Sequence, residues 1–207
     1  MSLRIAIFGA TRGVGLALVE QATAQGHECR VLAREPDVLH DAERLKVISG
    51  NVLDPDAVRL TLEGCDCAVV SLSASGKNPK TICADGTQIV IDEMKELGVP
   101  RLVAITSLGL GESEAQVPWQ FRGLMKTLLR NVMQDKARQE EVVRSSGLDW
   151  TIVRPSGLWD GPHTGDYRTG TDSTTLGKSI NRGDVAHFVL KELSEGTYLH
   201  QTPWVMR

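Results

Sequence analysis

The feature that most constrains the fold is a short apolar run that breaks into three closely spaced glycines. Residues 3–8 read LRIAIF, and Gly9, Gly13 and Gly15 follow with the spacing Gly-x3-Gly-x-Gly. A helical pattern begins at once, so this stretch predicts a strand, a tight turn and a helix. Gly9 permits the turn, Gly13 lets backbone N–H groups approach an anion, and Gly15 lets the helix pack closely on the strand. Such a unit holds a dinucleotide pyrophosphate, and an ordinary glycine turn is the alternative.

Strand and helix patterns then alternate along the chain. Further strands are predicted at residues 28–33, 45–49, 67–72, 101–107 and 148–153. Further helices are predicted from Pro55, at 81–97, in a long segment ending near residue 145, and after a capping box at 181–184. Buried strands of the parallel type joined by helices predict an α/β fold. We expect a doubly wound (Rossmann) parallel sheet of six to seven strands in a single domain spanning residues 1–207.

The composition excludes several classes of partner. The formal net charge of the 207-residue chain is −3, which argues against nucleic acid and against an anionic membrane surface. The first apolar segment is only as long as a strand, so it is neither a signal peptide nor a membrane span. We therefore expect a cytoplasmic protein, a monomer or weak homodimer, that acts on a small molecule.

The cysteines indicate structural rather than chemical roles. Cys29, Cys65, Cys67 and Cys83 have no metal-ligand or disulfide spacing, so no metal site is predicted. We expect them to be small buried hydrophobic residues in a reducing cytosol. Cys65 and Cys67 occupy alternate positions at the start of a strand, which predicts that they share one face.

Two arginines indicate which dinucleotide is bound. The second strand ends at Ala33 and Arg34, where NAD-binding folds usually carry an acid that holds the ribose 2′-hydroxyl. Arg34 favours a 2′-phosphate, and Arg12, just before the second glycine, can approach the same phosphate. The sequence therefore predicts NADPH as the cofactor. Two solvated surface arginines are the alternative.

Strand ends predict the rest of the cofactor site. Asn51 follows the third strand and can offer its amide to the adenine edge, with Val52 packing on the ring, although a plain turn asparagine is equally compatible. The loop at 73–76 is expected over the middle of the cofactor, where strand order reverses. The other candidate cofactor-binding residues are Thr11, Val14, Leu72, Ser73, Thr106 and Pro155.

Two loops are candidates for the substrate site, at about 108–130 and 155–178. The first contains Trp119, Phe121 and Arg122, and aromatic rings with an arginine on a glycine-containing loop suit a lid over a flat substrate. A flexible loop with one satellite hydrophobic cluster is the alternative. At the start of the second, Arg154-Pro155-Ser156-Gly157 is expected to turn the chain from the sixth strand over the nicotinamide end of the cofactor.

Several blocks of the chain resemble one family. Gly9-Ala10-Thr11, the Gly-Asn-Val-Leu-Asp block at 50–54, the Ser-Gly-Leu-Asp-Trp-Thr-Ile-Val-Arg-Pro block at 146–155 and the Ile-Asn-Arg-Gly-Asp-Val-Ala block at 180–186 resemble the NmrA-like, atypical short-chain dehydrogenases. The likeness is greatest to the branch of NADPH-dependent flavin and biliverdin IXβ reductases. The resemblance implies a Rossmann fold, NADPH and a planar acceptor. Family members usually carry Asp where this chain has Asn51.

The chemistry expected of the chain follows from an incomplete motif. Classical short-chain dehydrogenases use a serine with Tyr-x3-Lys, but here the residue four before Lys136 is Val132, and both tyrosines lie far downstream. We therefore expect hydride transfer to a conjugated acceptor such as a flavin or linear tetrapyrrole, which can take its proton from water. Ser107 is the candidate catalytic residue, with a purely structural hydroxyl as the alternative. A nucleotide-sensing regulator without turnover is the other function considered.

Overall fold

A computed structural model of the chain describes residues 2–35, 39–74, 78–120, 123, 127–176 and 178–207. Its strands are β1 (Arg4–Phe8), β2 (Glu28–Ala33), β3 (Leu45–Ser49), β4 (Cys67–Val70), β5 (Arg101–Ile105), β6 (Asp149–Pro155), β7 (Leu158–Trp159), β8 (Arg168–Gly170), β9 (Ile180–Asn181) and β10 (Trp204–Met206). Its α-helices are α1 (Gly13–Ala24), α2 (Pro55–Leu62), α3 (Ile82–Leu97), α4 (Arg130–Arg144) and α5 (Arg182–Glu195), with a 3-10 helix at Gly111–Gln116.

The main sheet has eight strands in the order β3-β2-β1-β4-β5-β6-β10-β8. The strands from β3 to β10 run parallel, and β8 runs antiparallel to β10 at the edge. Strand order reverses between β1 and β4, which is where a doubly wound sheet opens a crevice for ligands. The predicted fold class is confirmed. The sheet is one strand larger than expected because β8 and β10 are three-residue strands at its edge, too short to leave a clear pattern.

The two faces of the sheet carry separate hydrophobic clusters. Along β1, Ala6 and Phe8 point into the cluster under α2, α3 and α4, whereas Ile5 and Ile7 point into the cluster under α1 and α5. This alternation is the period-two pattern of a strand that is buried on both faces. The first strand of the glycine motif is therefore fixed from both sides.

Three local expectations are wrong. Cys65 precedes β4 in a turn, so it lies in the cluster on one face while Cys67 lies in the cluster on the other. Residues 154–157 do not begin a turn at Arg154, because β6 continues through Pro155, which is in register with Val205 of β10. All four cysteines are nevertheless buried and free, as expected.

The third correction concerns the capping box expected at residues 181–184. Asn181 is the N-cap of α5 but makes no side-chain capping bond. The Asp184 carboxylate instead accepts hydrogen bonds from the backbone N–H groups of Thr164 and Gly165. It also accepts one from the Thr164 hydroxyl and pairs with His163 Nδ1. The Asp184 carboxylate thus bonds to the loop at 163–165 and does not cap the N-terminus of α5.

None of the helices in the described ranges is both long and apolar enough to cross a membrane.

Candidate functional site

A cleft of about 590 Å³ opens at the carboxyl ends of the central strands. It lies at the point where strand order reverses, which is the position predicted for a dinucleotide. Most of the predicted site residues line it, namely Gly9, Thr11, Arg12, Gly13, Val14, Arg34, Asn51, Val52, Leu72, Ser73 and Thr106. The structure therefore brings together residues that are spread over about 100 positions of the chain.

The glycine turn has the geometry that its residues predict. Gly9 has a φ of +92°, and a Cβ there would lie 2.4 Å from the Ser71 carbonyl oxygen. A Cβ on Gly15 would lie 2.1 Å from the Gly9 carbonyl oxygen, so only glycine lets α1 approach β1 this closely. Gly13, at the helix N-terminus, has a φ of +62°, a backbone conformation that favours glycine. The first turn of α1 contains no acid, so the residues present fit a bound pyrophosphate.

The end of β2 presents Arg34 to the cleft. Its Nη1 donates a hydrogen bond to the Asn78 side-chain oxygen, and Asn78 donates to the Ser73 carbonyl oxygen at 3.0 Å. The arginine is therefore held at the cleft by a residue that the sequence did not single out. Arg12, the N-cap of α1, lines the same cleft. That both arginines meet a 2′-phosphate stays a prediction.

Asn51 shows the turn role that was one of its two interpretations. Its side-chain oxygen accepts a hydrogen bond from the backbone N–H of Leu53 at 3.1 Å. The residue also lines the cleft, beside the buried Val52. The carboxamide oxygen is thus used locally, and the NH₂ group is the part left to meet an adenine edge. Adenine binding by Asn51 and Val52 stays a prediction.

Ser107 and Pro155 do not belong to the described cleft lining. The Ser107 hydroxyl donates to the Leu108 carbonyl oxygen at 3.1 Å, which is the structural role weighed against catalysis. Pro155 is buried in β6, because that strand runs on past the expected turn. Thr106, by contrast, lines the cleft, and its hydroxyl donates to Glu140 Oε1 at 2.8 Å.

The predicted substrate loop is only partly described. Phe121 and Arg122 lie outside the described residues. The indole of Trp119 is 76% exposed, so it is not part of a hydrophobic cluster. Leu108 and Val117 from the same loop do form such a cluster, with Trp204 and Met206 of β10. The loop is thus anchored on the sheet edge and leaves its tryptophan in solvent.

Lys136 of α4 is a cleft residue that the sequence interpretation set aside. Its ammonium group donates to the carbonyl oxygens of Leu72 and Ile105, both at 2.8 Å, and to Gln139 Oε1 at 3.1 Å. Burial lowers the pKa of this lysine, and nearby Cys83 and Asp135 oppose that effect. The ammonium ties the ends of β4 and β5 together at the floor of the cleft. Lys136 was not predicted to line the cleft because the sequence has no tyrosine four residues before it, and the Tyr-x3-Lys motif is the pattern that would have indicated this position.

A buried ion pair orients the strand end that carries Thr106. Arg154 donates from Nε and Nη2 to the two carboxylate oxygens of Glu140, at 2.9 and 2.7 Å. The side chains of Arg154 and Glu140 are 4% and 3% exposed. Arg154 also reaches Glu112 on the 3-10 helix. Partial burial opposes ionisation of Glu112, but its backbone hydrogen bond and Arg154 lower its pKa overall.

Comparison with known proteins agrees with this geometry. A protein-family model described as NAD(P)H-binding matches residues 9–196, nearly the whole chain. The chain belongs to this NAD(P)H-binding family. The match confirms the resemblance to the atypical short-chain dehydrogenases. One similar protein is reductase pytE of Aspergillus terreus, which is 28% identical over 91% of this chain and 90% of its own length.

Two solved structures share the fold of this NAD(P)H-binding protein. ChuY of Escherichia coli O157:H7, described as an anaerobillin reductase, superposes with a TM-score of 0.84 at 23% identity and covers 98% of this chain and 96% of its own. A short-chain dehydrogenase/reductase of Veillonella parvula, solved in complex with NADP, has a TM-score of 0.84 at 17% identity and covers 100% and 95%. At these identities the likeness establishes the fold.

Proposed function

We propose that this protein is an NADPH-dependent reductase that passes a hydride to a planar conjugated acceptor, such as a flavin or a linear tetrapyrrole. The observation that carries the proposal is the chemistry of the described cleft lining, which contains Lys136 and Thr106 but no tyrosine. Tyr167 and Tyr198 lie elsewhere, bonded through their hydroxyls to His187 and Thr169. A phenolate base for alcohol–ketone chemistry is thus missing from the described cleft.

A conjugated acceptor removes the need for such a base. NADPH, when bound, supplies a hydride. A flavin or tetrapyrrole spreads the incoming negative charge over its conjugated system and can take its proton from water. The contribution of the protein is then to hold two planar groups face to face and to exclude other geometries.

The preference for NADPH over NADH is supported by the end of β2. Arg34 stands at the cleft after Ala33, where an acid would repel a 2′-phosphate. A guanidinium matches phosphate oxygens with two parallel hydrogen bonds. Asn78 keeps that guanidinium at the cleft before any phosphate arrives.

Exposed apolar side chains near the cleft support a position for the planar acceptor. Leu158 lines the cleft and is 37% exposed, and Trp159 beside it is 66% exposed. Trp119 on the loop at 108–130 is also in solvent. Large exposed aromatic residues can stack on a planar ring. We propose that these residues contact the acceptor, together with Phe121 and Arg122.

The names of similar proteins point in the same direction. ChuY is described as an anaerobillin reductase, and pytE as a reductase. We also place this protein in the cytosol, since its four free, buried thiols suit a reducing compartment.

The test is consumption of NADPH by the purified protein. Under anaerobic conditions, flavin mononucleotide and biliverdin are each offered with NADPH, and both the nicotinamide and the acceptor absorbance are followed. We expect loss of NADPH in proportion to reduced acceptor. A protein that binds NADPH but consumes none with either acceptor would contradict the proposal and favour a nucleotide sensor.

Variants then locate the acceptor site. Trp119→Ala and Trp159→Ala should raise the KM for the acceptor several-fold and leave the Kd for NADPH unchanged. Leu60→Ala is the matched control, because Leu60 is 47% exposed on α2 and outside the cleft lining. If the KM for the acceptor in both tryptophan variants equals that of Leu60→Ala, the two tryptophans do not contact the acceptor.

A further inference from the structure

One arginine in the cleft has no place in the cofactor site predicted from the sequence. Arg182 is the first residue of α5, and its Nε lies 3.6 Å from the point where a Cβ on Gly13 would stand. Gly13 is the glycine at the N-terminus of α1, where the sequence motif predicts the pyrophosphate. The guanidinium of Arg182 therefore lies beside the glycine turn, although the two are about 170 residues apart in the sequence.

The position of Arg182 is fixed by both of its neighbouring elements. The β9 strand just before it pairs with β7, with Leu158 opposite Ile180 and Trp159 opposite Asn181. After it, the Gly183 carbonyl oxygen accepts a hydrogen bond from the Gln21 side chain of α1 at 2.9 Å. The helix that carries Arg182 is thereby fastened to the helix whose N-terminus it faces.

Arg182 already holds an anionic group. Its Nη1 pairs with Asp160 Oδ1 at 2.6 Å, and both residues line the cleft. The Asp160 side chain is 95% exposed, whereas that of Arg182 is 29% exposed. A carboxylate in solvent gains little from such a pair, so a better anion can replace it at small cost.

We propose that Arg182 binds the pyrophosphate of the dinucleotide and that Asp160 occupies its guanidinium until the cofactor arrives. The pyrophosphate carries more charge than a carboxylate and accepts the paired hydrogen bonds of a guanidinium. It also has the N-terminus of α1 as a second source of positive potential. Arg182 thus binds a different part of the cofactor from Arg34, which stands at the ribose end.

Exchange of Asp160 has a consequence for the acceptor site. Asp160 directly follows Leu158 and Trp159, the exposed apolar residues beside the cleft. When the pyrophosphate takes Arg182, the ion pair that holds the end of this segment is released. Cofactor binding therefore frees the Asp160 side chain beside the proposed acceptor contacts, while the pairing of β7 with β9 remains. This last step rests on the proposed function, whereas the exchange itself rests only on dinucleotide binding.

The experiment uses calorimetric titration with two probes and no acceptor. NADP⁺ contains the pyrophosphate, and adenosine 2′-monophosphate contains the 2′-phosphate but no pyrophosphate. Arg182→Ala should weaken NADP⁺ binding about 10- to 100-fold and leave adenosine 2′-monophosphate within about twofold of the wild type. Arg34→Ala should weaken both probes. Arg207→Ala is the control, since Arg207 pairs with Asp166 at the surface outside the cleft and should change neither.

The exchange is tested separately with Asp160→Asn. Removing the competing carboxylate should tighten NADP⁺ binding about two- to fivefold, and that gain should vanish in the Asp160→Asn/Arg182→Ala double variant. A gain that persists without Arg182 would overturn the exchange, because Asp160 would then act by its own charge. Equal losses on both probes in Arg182→Ala would overturn pyrophosphate binding. If Arg182→Ala does not fold, Asp160→Asn decides alone, and unchanged or weaker NADP⁺ binding refutes the proposal.

Discussion

Arg34 and Lys136 bring positive charge to the same cleft, but their surroundings give them different tasks. Arg34 is exposed and bonded to one neutral side chain, so its guanidinium remains available to a phosphate. Lys136 is buried and spends its three N–H donors on protein oxygens. One residue is suited to ligand binding and the other to holding two strand ends in place.

Replacing Arg34 with alanine should remove most of the discrimination between the two nicotinamide cofactors. A charge-assisted hydrogen bond to the 2′-phosphate contributes about 1.5–3 kcal/mol, which corresponds to a loss of about 10- to 150-fold in NADPH affinity. NADH affinity should be unchanged, since NADH lacks that phosphate. Titration of both cofactors measures this, with Arg44→Ala as the control because Arg44 donates to Gly26 away from the cleft. Equal affinities of the wild type for NADPH and NADH would disprove the assignment.

Replacing Lys136 with methionine should destabilise the protein more than it alters cofactor chemistry. The change removes the ammonium donor of the Ile105 carbonyl oxygen and leaves the Leu72 carbonyl oxygen only the weak thiol donor of Cys83 at 3.5 Å. An unsatisfied buried acceptor costs about 1–3 kcal/mol. We expect the free energy of unfolding to fall by about 2–4 kcal/mol in urea titrations. The control is Lys46→Met, which breaks an exposed ion pair with Asp41. A stable Lys136→Met protein would show that water or a rearranged strand end satisfies the carbonyls.

Ser107 should prove to be of modest importance to turnover. Its hydroxyl donates to the Leu108 carbonyl oxygen, and a conjugated acceptor needs positioning more than a protein acid. Ser107→Ala should therefore lower kcat by no more than about tenfold and leave the Kd for NADPH unchanged. Steady-state kinetics with the better acceptor measure both. A loss of about ten-thousandfold would mean that Ser107 handles a proton, and the proposed mechanism would be wrong.

At the scale of elements, α5 is attached to the loop at 163–165 through one buried carboxylate. Asp184 is fully buried and accepts from two backbone N–H groups and one hydroxyl. Burial opposes its ionisation, but the hydrogen bonds from Thr164, Gly165 and His163 lower its pKa overall. A carboxylate with a lowered pKa stabilises the fold above its ordinary pKa of about 4 and loses that effect as the pH falls through the lowered value.

Asp184→Asn should reproduce the effect of acid at neutral pH. The asparagine NH₂ group would face hydrogen-bond donors, so we expect the free energy of unfolding to fall by about 2–4 kcal/mol at pH 7. The difference from the wild type should shrink as the pH falls from about 4, where the carboxylate is protonated in the unfolded chain, through the lowered pKa of Asp184 in the folded protein. Urea titrations at several pH values measure this, with the surface variant Asp166→Asn as the control. A difference that stays constant down to low pH would show that Asp184 acts by shape and not by charge.

The central elements could be predicted because each carries its own pattern. The apolar runs of β1, β2, β4, β5 and β6 are largely buried, β3 carries a clear strand composition, and proline or glycine marks the start of α2 and the end of α3. The edge strand β8 and its neighbour β10 were missed because three residues are too few to show a periodic pattern. The extension of β6 through Pro155 was missed because it depends on pairing with β10, a partner about 50 residues away. Local pattern thus determines the centre of the sheet, and distant pairing determines its edge.

The lining of the site could be predicted where a residue lies on the glycine turn or at the end of a strand. Gly9 and Gly13 follow from the turn, whereas Arg34, Asn51 and Thr106 follow from the ends of β2, β3 and β5. Lys136, Asn78 and Arg182 reach the cleft from other segments, so their positions depend on how the whole sheet is assembled. Arg182 lies within residues 181–184, which the sequence pattern predicted to be only a helix cap. Its true neighbour, Gly13, is set by contact between α1 and α5.

At the scale of the whole molecule, the cleft lies where the two halves of the sheet meet. Its lining comes from β1 and β2, from the residues that follow β4, from the end of β5, from α4, and from α5 with β7 and the residue after it. A dinucleotide in this cleft would contact both halves at once, and it would do so only in the folded protein. Cofactor binding should therefore stabilise the entire fold, and its effect on unfolding reports the affinity without any catalytic assay.

NADPH should raise the thermal midpoint well above the effect of NADH at the same concentration. A ligand at one hundred times its Kd stabilises by about 2.7 kcal/mol, and for a chain of this size each kcal/mol raises Tm by about 2–4 °C. We expect a shift of about 5–10 °C with NADPH and no more than about 2 °C with NADH, if the latter binds about one hundredfold more weakly. Scanning calorimetry of the wild type and Arg34→Ala measures this, and the variant should respond to both cofactors alike. Equal shifts in the wild type would mean that the end of β2 does not recognise the 2′-phosphate, whatever the acceptor proves to be.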